Sequence, residues 1–294
     1  MEILTLGEKI KKRRKDMNMT LKDLGGNRVT PGQISLVESG KSKPSMDLLQ
    51  YLASKLNVSV DYLFETEEKQ AEKLCDYYAK ISDASILSSN YEQAMGSVSQ
   101  GLEYANRYNL QYYIGLNEMY SGRIQYGLEK YEDAGAHFIA ANEIFYKLEK
   151  YREIIETYMG LGMSSYKMLY FNSSLNYYKQ AERILTDRKI VDDGLLMRIY
   201  FNISLCYSRL NMYSNTIDYA LLAMNRFKEK DDKYQYGQTL LMLSISYNSL
   251  NKFDEALTYA DMAIKVFKEL EDLTFIAKME TNIGIILSDI GEID

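Results

Sequence analysis

Proline is scarce in this chain of 294 residues: it occurs only at Pro31 and Pro44. Because proline breaks helix interiors, a long proline-free stretch rich in Leu, Glu, Lys and Tyr favours helices throughout. No uninterrupted apolar run reaches the roughly 18 residues that a membrane-spanning helix needs. The composition therefore predicts an all-α protein without a membrane partner.

Cysteine and histidine are also rare. Cys75 and Cys206 lie far apart in helical sequence, and His137 is the only histidine. A disulfide framework is therefore not expected, and with no signal-peptide pattern at the N-terminus we expect a cytoplasmic protein. A single histidine excludes His-rich metal sites and leaves few catalytic pairings, so we expect no metal, no cofactor and no enzymatic activity.

A net positive charge is confined to the N-terminal part. Residues 1–65 hold eleven Lys and Arg against eight Asp and Glu, whereas the remainder holds 24 against 33. A basic head on an acidic body suggests that only the head meets phosphate groups. We therefore expect an N-terminal domain over 1–65, a linker helix over 66–80 and a second domain over 81–294.

The head carries the start and stop signals of short helices. Thr20 is suited to cap a second helix, and Thr30 caps a third, with proline at its first position and Gln33 completing a capping box. Gly40 ends the third helix, with a positive φ expected. Ser45 or Asp47 can cap a fourth.

The segments 33–44 and 56–63, read together, resemble the Cro/C1-type (XRE) helix-turn-helix family. The resemblance implies that the third helix lies in the major groove, where Gln33 can bond adenine and Leu36 can touch a thymine methyl group. Basic side chains and the start of the second helix would hold phosphates. The DNA-binding residues so implied are Thr20, Arg28, Thr30, Pro31, Gly32, Gln33, Ser35, Leu36, Lys41 and Lys43.

Two of these roles have a structural alternative. Gln33 is also suited to act only as a cap partner. Glu38 resembles the family's internal acid, paired with Arg14 rather than with DNA.

Beyond the linker, a pattern repeats about every 40 residues. Small residues recur at these intervals, each three residues after an aromatic, and a further small residue lies twelve positions earlier. The recurring small residues are Ala94, Ala134, Ser174, Thr216 and Ala256. The aromatics are Tyr91, Tyr131, Phe171, Tyr213 and Phe253. Such a pattern is typical of stacked antiparallel helix pairs, with the aromatic filling the gap at the turn.

This pattern resembles the tetratricopeptide repeat, lengthened from its usual ~34 residues. The resemblance implies a right-handed helical solenoid, and we expect the extra length after each second helix, as in 228–233. Five repeats and one further helix fit the sequence. Because solenoids need a polar cap, we expect the chain to be truncated after Asp294.

First helices of such repeats line an inner groove, and two of them carry a base and an asparagine four residues apart, Arg198 with Asn202 and Lys278 with Asn282. This spacing puts both members on one helix face. Asparagine suits a peptide backbone and the base a carboxylate, such as a peptide C-terminus. The expected peptide-binding residues are Met159, Met163, Tyr166, Arg198, Phe201, Asn202, Leu205, Gln238, Leu241, Met242, Ile245, Asn248, Lys278 and Asn282. The alternative is that each asparagine bonds a neighbouring helix and the apolar stripe is core.

The combination of head and solenoid resembles the RRNPP family of Gram-positive peptide-pheromone receptors, in layout its PlcR-like and NprR-like members. The resemblance implies a quorum-sensing transcriptional regulator that binds operator DNA as a homodimer and a short signalling peptide in its groove. Two other functions stay open: a regulator that sequesters or dephosphorylates a response regulator, and a repeat-based protein adaptor.

Overall fold

The computed structural model describes residues 2–229 and 232–291, which form sixteen α-helices and no strand. The all-α expectation is confirmed. The chain divides into two compact units, Met1–Asn117 and Glu118–Asp294, and each is described by itself.

The N-terminal unit begins with five short helices whose starts are fixed by hydroxyl caps. At each start, the oxygen of a Ser or Thr side chain accepts a hydrogen bond from the backbone N–H three residues later. Gly40 has a φ of 72°, as expected, and Ser45 rather than Asp47 caps the fourth helix. The helices are α1 (Leu6–Asp16), α2 (Leu21–Gly25), α3 (Pro31–Glu38), α4 (Met46–Lys55) and α5 (Val60–Phe64).

These five helices enclose one apolar core. Its members come from every helix and are less than 4% exposed: Ile10, Leu24, Ile34, Val37, Leu49, Leu52, Ala53, Leu56 and Leu63. The buried Lys9 side chain donates hydrogen bonds to the carbonyls of Tyr62 (2.8 Å) and Glu65 (2.7 Å), which ties α1 to the end of α5. The core and this tie position α3.

Two longer helices complete this part of the unit, α6 (Glu67–Leu87) and α7 (Tyr91–Arg107). The side chain of Gln70 donates to the carbonyl of Leu4 (2.8 Å) and accepts from its N–H (3.0 Å). We expected a linker helix over 66–80 and repeats from 81. In the structure, α6 is one continuous helix that contains this boundary, and it packs against α7. The sequence offered no helix stop near position 80.

The remaining helices repeat with great regularity. They are α8 (Gln111–Gly127), α9 (Tyr131–Lys147), α10 (Tyr151–Lys167), α11 (Phe171–Asp187), α12 (Asp193–Arg209), α13 (Tyr213–Glu229), α14 (Lys233–Ser249), α15 (Phe253–Glu269) and α16 (Leu273–Ile290). The division between the two units falls within α8. The five aromatics of the sequence pattern are the first residues of α7, α9, α11, α13 and α15, so the pairing into repeats is confirmed.

The extra length of the repeat lies in the helices, and the expectation that it follows each second helix is wrong. All helices from α7 to α15 have 17 residues, and most connections have three. In the connections that the structure describes, the second residue after the helix has positive φ, as at Glu129 and Leu169, and the next N–H bonds back into the last turn. This left-handed cap reverses the chain within three residues. Of the segment 228–233, Lys230 and Asp231 lie outside the described residues, as does Asp294.

Close contact between neighbouring helices depends on glycine facing an aromatic ring. A Cβ built on Gly160 would lie 2.5 Å from the Phe138 ring, and one on Gly162 would lie 2.4 Å from the Tyr178 ring. Two of the turn aromatics contact a tyrosine on the preceding helix: Tyr131 with Tyr126 and Phe171 with Tyr166, with ring centroids 5.5 and 5.3 Å apart.

Candidate nucleic-acid face and ligand cleft

The N-terminal half of α3 and its flanks form an open polar surface. All ten residues expected to meet DNA are exposed: Thr20, Arg28, Thr30, Pro31, Gly32, Gln33, Ser35, Leu36, Lys41 and Lys43. The inward face of α3, with Ile34 and Val37, is buried. The helix therefore separates a core face from a face free to meet a ligand.

Gln33 takes the capping role. Its side-chain oxygen accepts hydrogen bonds from the backbone N–H of Thr30 (3.1 Å) and from the Thr30 hydroxyl (3.3 Å). The amide nitrogen makes no hydrogen bond within the described part of the chain, so it can still act as a donor. Capping and base contact are therefore compatible at this residue.

Arg28 has a partner of its own. Its guanidinium forms an ion pair with Asp47 and lies over the Tyr51 ring, 5.3 Å from the centroid. Both charged side chains are well exposed, and such pairs contribute only about 0–1 kcal/mol. A phosphate can therefore compete for Arg28 at small cost.

Glu38 is internal, as the family resemblance suggested. Its carboxylate receives two hydrogen bonds from Arg14, at 2.6 and 2.9 Å, and the two side chains are 7% and 12% exposed. The hydrogen bond to Glu38 raises the pKa of Arg14 above its usual value. This pair joins α1 to α3 and takes no part in the open surface.

The C-terminal unit contains a cleft of about 500 Å³ on the first helices of its repeats. Six of the expected peptide-binding residues line it: Met163, Tyr166, Arg198, Phe201, Asn202 and Leu205. They come from α10 and α12, the first helices of two successive repeats. The sequence pattern thus located the cleft through the pair of Arg198 and Asn202.

The other eight expected residues do not line this cleft. They are Met159, Gln238, Leu241, Met242, Ile245, Asn248, Lys278 and Asn282.

Three of these have structural roles that the alternative interpretation anticipated. Met159 and Met242 are core residues, 1% and 6% exposed. Asn282 donates to the Ser244 hydroxyl on the neighbouring α14 at 2.7 Å.

The polar groups on α12 already have protein partners. The guanidinium of Arg198 lies 3.4 and 3.5 Å from the Glu156 carboxylate on α10. The amide nitrogen of Asn202 donates to the carbonyl of Arg198, one turn earlier, at 2.8 Å.

Six lining residues were missed from the sequence: Tyr126, Tyr178, Met197, Phe227, Asp232 and Gln235. Tyr126 lies 40 residues before Tyr166, so the repeat register could have found it. Burial raises the pKa of Tyr178 well above its usual value, which keeps this phenol neutral. Asp232 caps α14, and its Oδ1 accepts a hydrogen bond from the Gln235 N–H at 3.2 Å.

Within the described residues, no helix is long and apolar enough to cross a membrane. The same residues contain no cluster of three or more His, Cys, Asp or Glu side chains arranged to hold a metal ion.

Residues 10–63 match the helix-turn-helix family model. The N-terminal domain is therefore a helix-turn-helix domain, as its resemblance to the Cro/C1-type family implied. No curated protein matches the chain.

Solved structures with a TM-score above 0.5 share the fold of the repeat body. Aspartyl phosphate phosphatase F from Bacillus subtilis is 13% identical, with 99% of this chain and 82% of that chain covered and a TM-score of 0.60. The Rap conjugation gene regulator of plasmid pLS20, solved with the Phr* peptide, is 15% identical over 99% and 86%, with a TM-score of 0.53. PlcR from Bacillus thuringiensis, solved with the peptide PapR7 and DNA, is 18% identical over 94% and 98%, with a lower TM-score of 0.45.

The expected combination of a helix-turn-helix domain with tetratricopeptide-like repeats is confirmed.

Proposed function

We propose that this protein is a peptide-responsive transcriptional regulator of the RRNPP type. Its helix-turn-helix domain would bind operator DNA, and its repeat body would bind a short apolar signalling peptide. The observation that carries the proposal is the cleft, in which Met163, Phe201 and Leu205 surround the polar pair Arg198 and Asn202. Flexible methionines and a few polar anchors in an apolar cleft suit a short peptide.

The DNA-binding half rests on the exposed face of α3. The domain matches a helix-turn-helix family, and the side chains at the start of α3 are open to a ligand. Lys41 and Lys43 form no ion pair within the described residues, so both are available to phosphate.

Two observations support a peptide as the ligand of the repeat body. The cleft is formed by the first helices of adjacent repeats, and a structure with the same repeat fold contains the Phr* peptide. A second candidate function has its own support, because the likeness to aspartyl phosphate phosphatase F is of similar strength. In that case the repeat body would bind a folded response regulator.

A peptide-binding experiment separates the two candidates. The full chain is incubated with a randomised heptapeptide library, retained peptides are identified by mass spectrometry, and the best is titrated by calorimetry. We expect saturable binding that Asn202→Ala weakens about fivefold or more, since a peptide hydrogen bond is lost. Asn225→Ala, at an exposed position of α13 outside the cleft, is the matched control. Retention of no peptide, with binding to a folded response regulator instead, would overturn the proposal in favour of the second candidate.

A further inference from the structure

The polar lining residues of α12 and α14 differ in how many of their hydrogen-bonding groups have partners within the protein. At α12, the guanidinium of Arg198 has an acceptor in Glu156, and one N–H of the Asn202 amide has an acceptor in the carbonyl of Arg198. At the start of α14, Gln235 lines the cleft with a side-chain oxygen that is buried and has no hydrogen-bond partner in the described residues. A buried acceptor without a donor is unfavourable, so this oxygen favours a ligand that brings a donor.

A negative charge lies beside this acceptor. Asp232 lines the same cleft, and the bond recorded for its carboxylate is the cap contact to the Gln235 N–H. A carboxylate has about four acceptor positions, so most of its capacity remains. Neighbouring cations are engaged elsewhere: Lys233 with Glu269 at 3.0 Å and Arg226 with Asp193 at 2.9 Å. Among the described residues, no cation pairs with Asp232.

We propose that Asp232 and Gln235 hold a cationic group of the peptide, so that the cleft selects ligands that carry an ammonium or guanidinium group. The source is a free amino terminus or a Lys or Arg side chain. This inference rests on the proposed function. It also revises the expectation that Arg198 binds a peptide carboxylate, because the carboxylate of Glu156 already lies against that guanidinium.

Other residues that line the cleft determine which side chains the rest of the ligand can carry. Met197 and Phe227 lie in the same cleft and offer apolar contacts. We expect apolar side chains next to the cationic group, since Met197 and Phe227 line the same cleft. A hydrogen bond between charged groups is stronger than one between neutral groups, so the cationic contact contributes much of the selectivity.

The test uses three heptapeptide libraries on the full chain: one with free amino termini, one acetylated and lacking Lys and Arg, and one acetylated with Lys and Arg included. Retained peptides are quantified by mass spectrometry. We expect peptides with a cationic group to be retained about tenfold or more over the acetylated library without one. Comparison of the first and third libraries identifies the source of the charge.

Two matched variants test whether the charge of Asp232 causes the preference for cationic peptides. Asp232→Asn keeps a residue suited to capping α14 but removes the charge. We expect the ratio of retained cationic peptides to retained acetylated peptides without a cation to fall close to one. Asp272→Asn is the control, because Asp272 caps α16 in the same way, accepting from the N–H groups of Thr274 and Phe275 at 3.1 Å, and does not line the cleft.

The outcomes separate this inference from the proposed function. Equal retention of acetylated and free peptides by the natural chain would overturn the inference and leave peptide binding intact, as would a preference that survives in Asp232→Asn. Retention of no library member would overturn the proposed function, and this inference with it.

Discussion

At the scale of single residues, side chains in this protein often serve two interactions at once. Gln33 caps α3 through its oxygen and keeps its amide nitrogen for a possible base contact. Arg28 pairs with Asp47 on a surface where phosphate would compete. Arg198 bonds Glu156 in the cleft. Such pairing holds these side chains in place before any ligand arrives and makes the ligand compete for them.

Replacement of Gln33 tests base readout separately from capping. We expect Gln33→Ala to weaken binding to an operator selected from a random DNA pool by about 1–3 kcal/mol, because an adenine contact is lost. Binding to random DNA should barely change. Gel-shift titration of both DNAs measures the two affinities.

Glu8→Ala is the control for this experiment. Glu8 completes the same kind of capping box at α1, away from the DNA face, so its loss should leave the ratio of specific to random binding unaltered. Equal losses on both DNAs in Gln33→Ala would show that Gln33 is only a cap partner.

The sequence predicted the roles of some single residues and not those of others. Caps and the pair of Arg14 and Glu38 were predictable, because they depend on local spacing or on a family pattern. The roles of Met159 and Asn282 were not, since a helix face in a solenoid meets either the groove or the next helix, and residue type alone does not distinguish the two. Gln235 was not predicted, because its side-chain oxygen stands out only by being buried without a hydrogen-bond donor, and the sequence does not reveal burial of a single atom.

At the scale of elements, the repeat is a pair of equal 17-residue helices joined by short left-handed turns. The spacing of small and aromatic residues predicted the pairing and the period. It did not predict where the extra length lies, because these turns use residues such as Glu129 and Leu169 instead of glycine. Without glycine, the sequence gives no clear signal for the helix ends.

The close packing of α9 against α10 can be tested by a substitution at Gly160. We expect Gly160→Ala to destabilise the chain by roughly 1–3 kcal/mol, because the new methyl group would collide with the Phe138 ring and force a shift in the packed interior. Urea unfolding followed by circular dichroism gives the change in the unfolding midpoint.

Gly135→Ala, on the same pair of helices, provides the comparison. A Cβ at Gly135 meets nothing within 4 Å, so alanine should stabilise α9 by about 0.5–1 kcal/mol through helix propensity. Opposite signs for the two substitutions are expected; a neutral Gly160→Ala would show that α9 and α10 pack more loosely than described.

At the scale of the whole molecule, the sign of the net charge differs between the head, which we propose binds DNA, and the body, which we propose binds a peptide. The basic head can approach DNA while the acidic body is repelled by it. A single exposed face on α3 provides few base contacts, so we propose that two chains act together. The head and the repeats were both evident from sequence, whereas the division into two compact units within α8 was not, because no composition change marks that position.

We therefore expect a homodimer that reads two half-sites about one helical turn, or a multiple of it, apart. Sedimentation equilibrium of the full chain at micromolar concentration should give twice the mass of one chain. Scrambling one half-site of a selected operator should lower the affinity by far more than the factor of two expected when one of two independent sites is lost. A monomeric mass with and without DNA would contradict this expectation.

The cleft has a consequence for how the repeat body unfolds. In a solenoid each helix is stabilised mainly by its immediate neighbours, so local openings can spread from either end without disrupting the middle. The lining residues come from α8, α10, α12 and α14, among others. A molecule bound there contacts several repeats at once and acts as a long-range crosslink in a chain whose own contacts are short-range. Occupancy would thus convert a series of separately fraying repeats into one cooperative block.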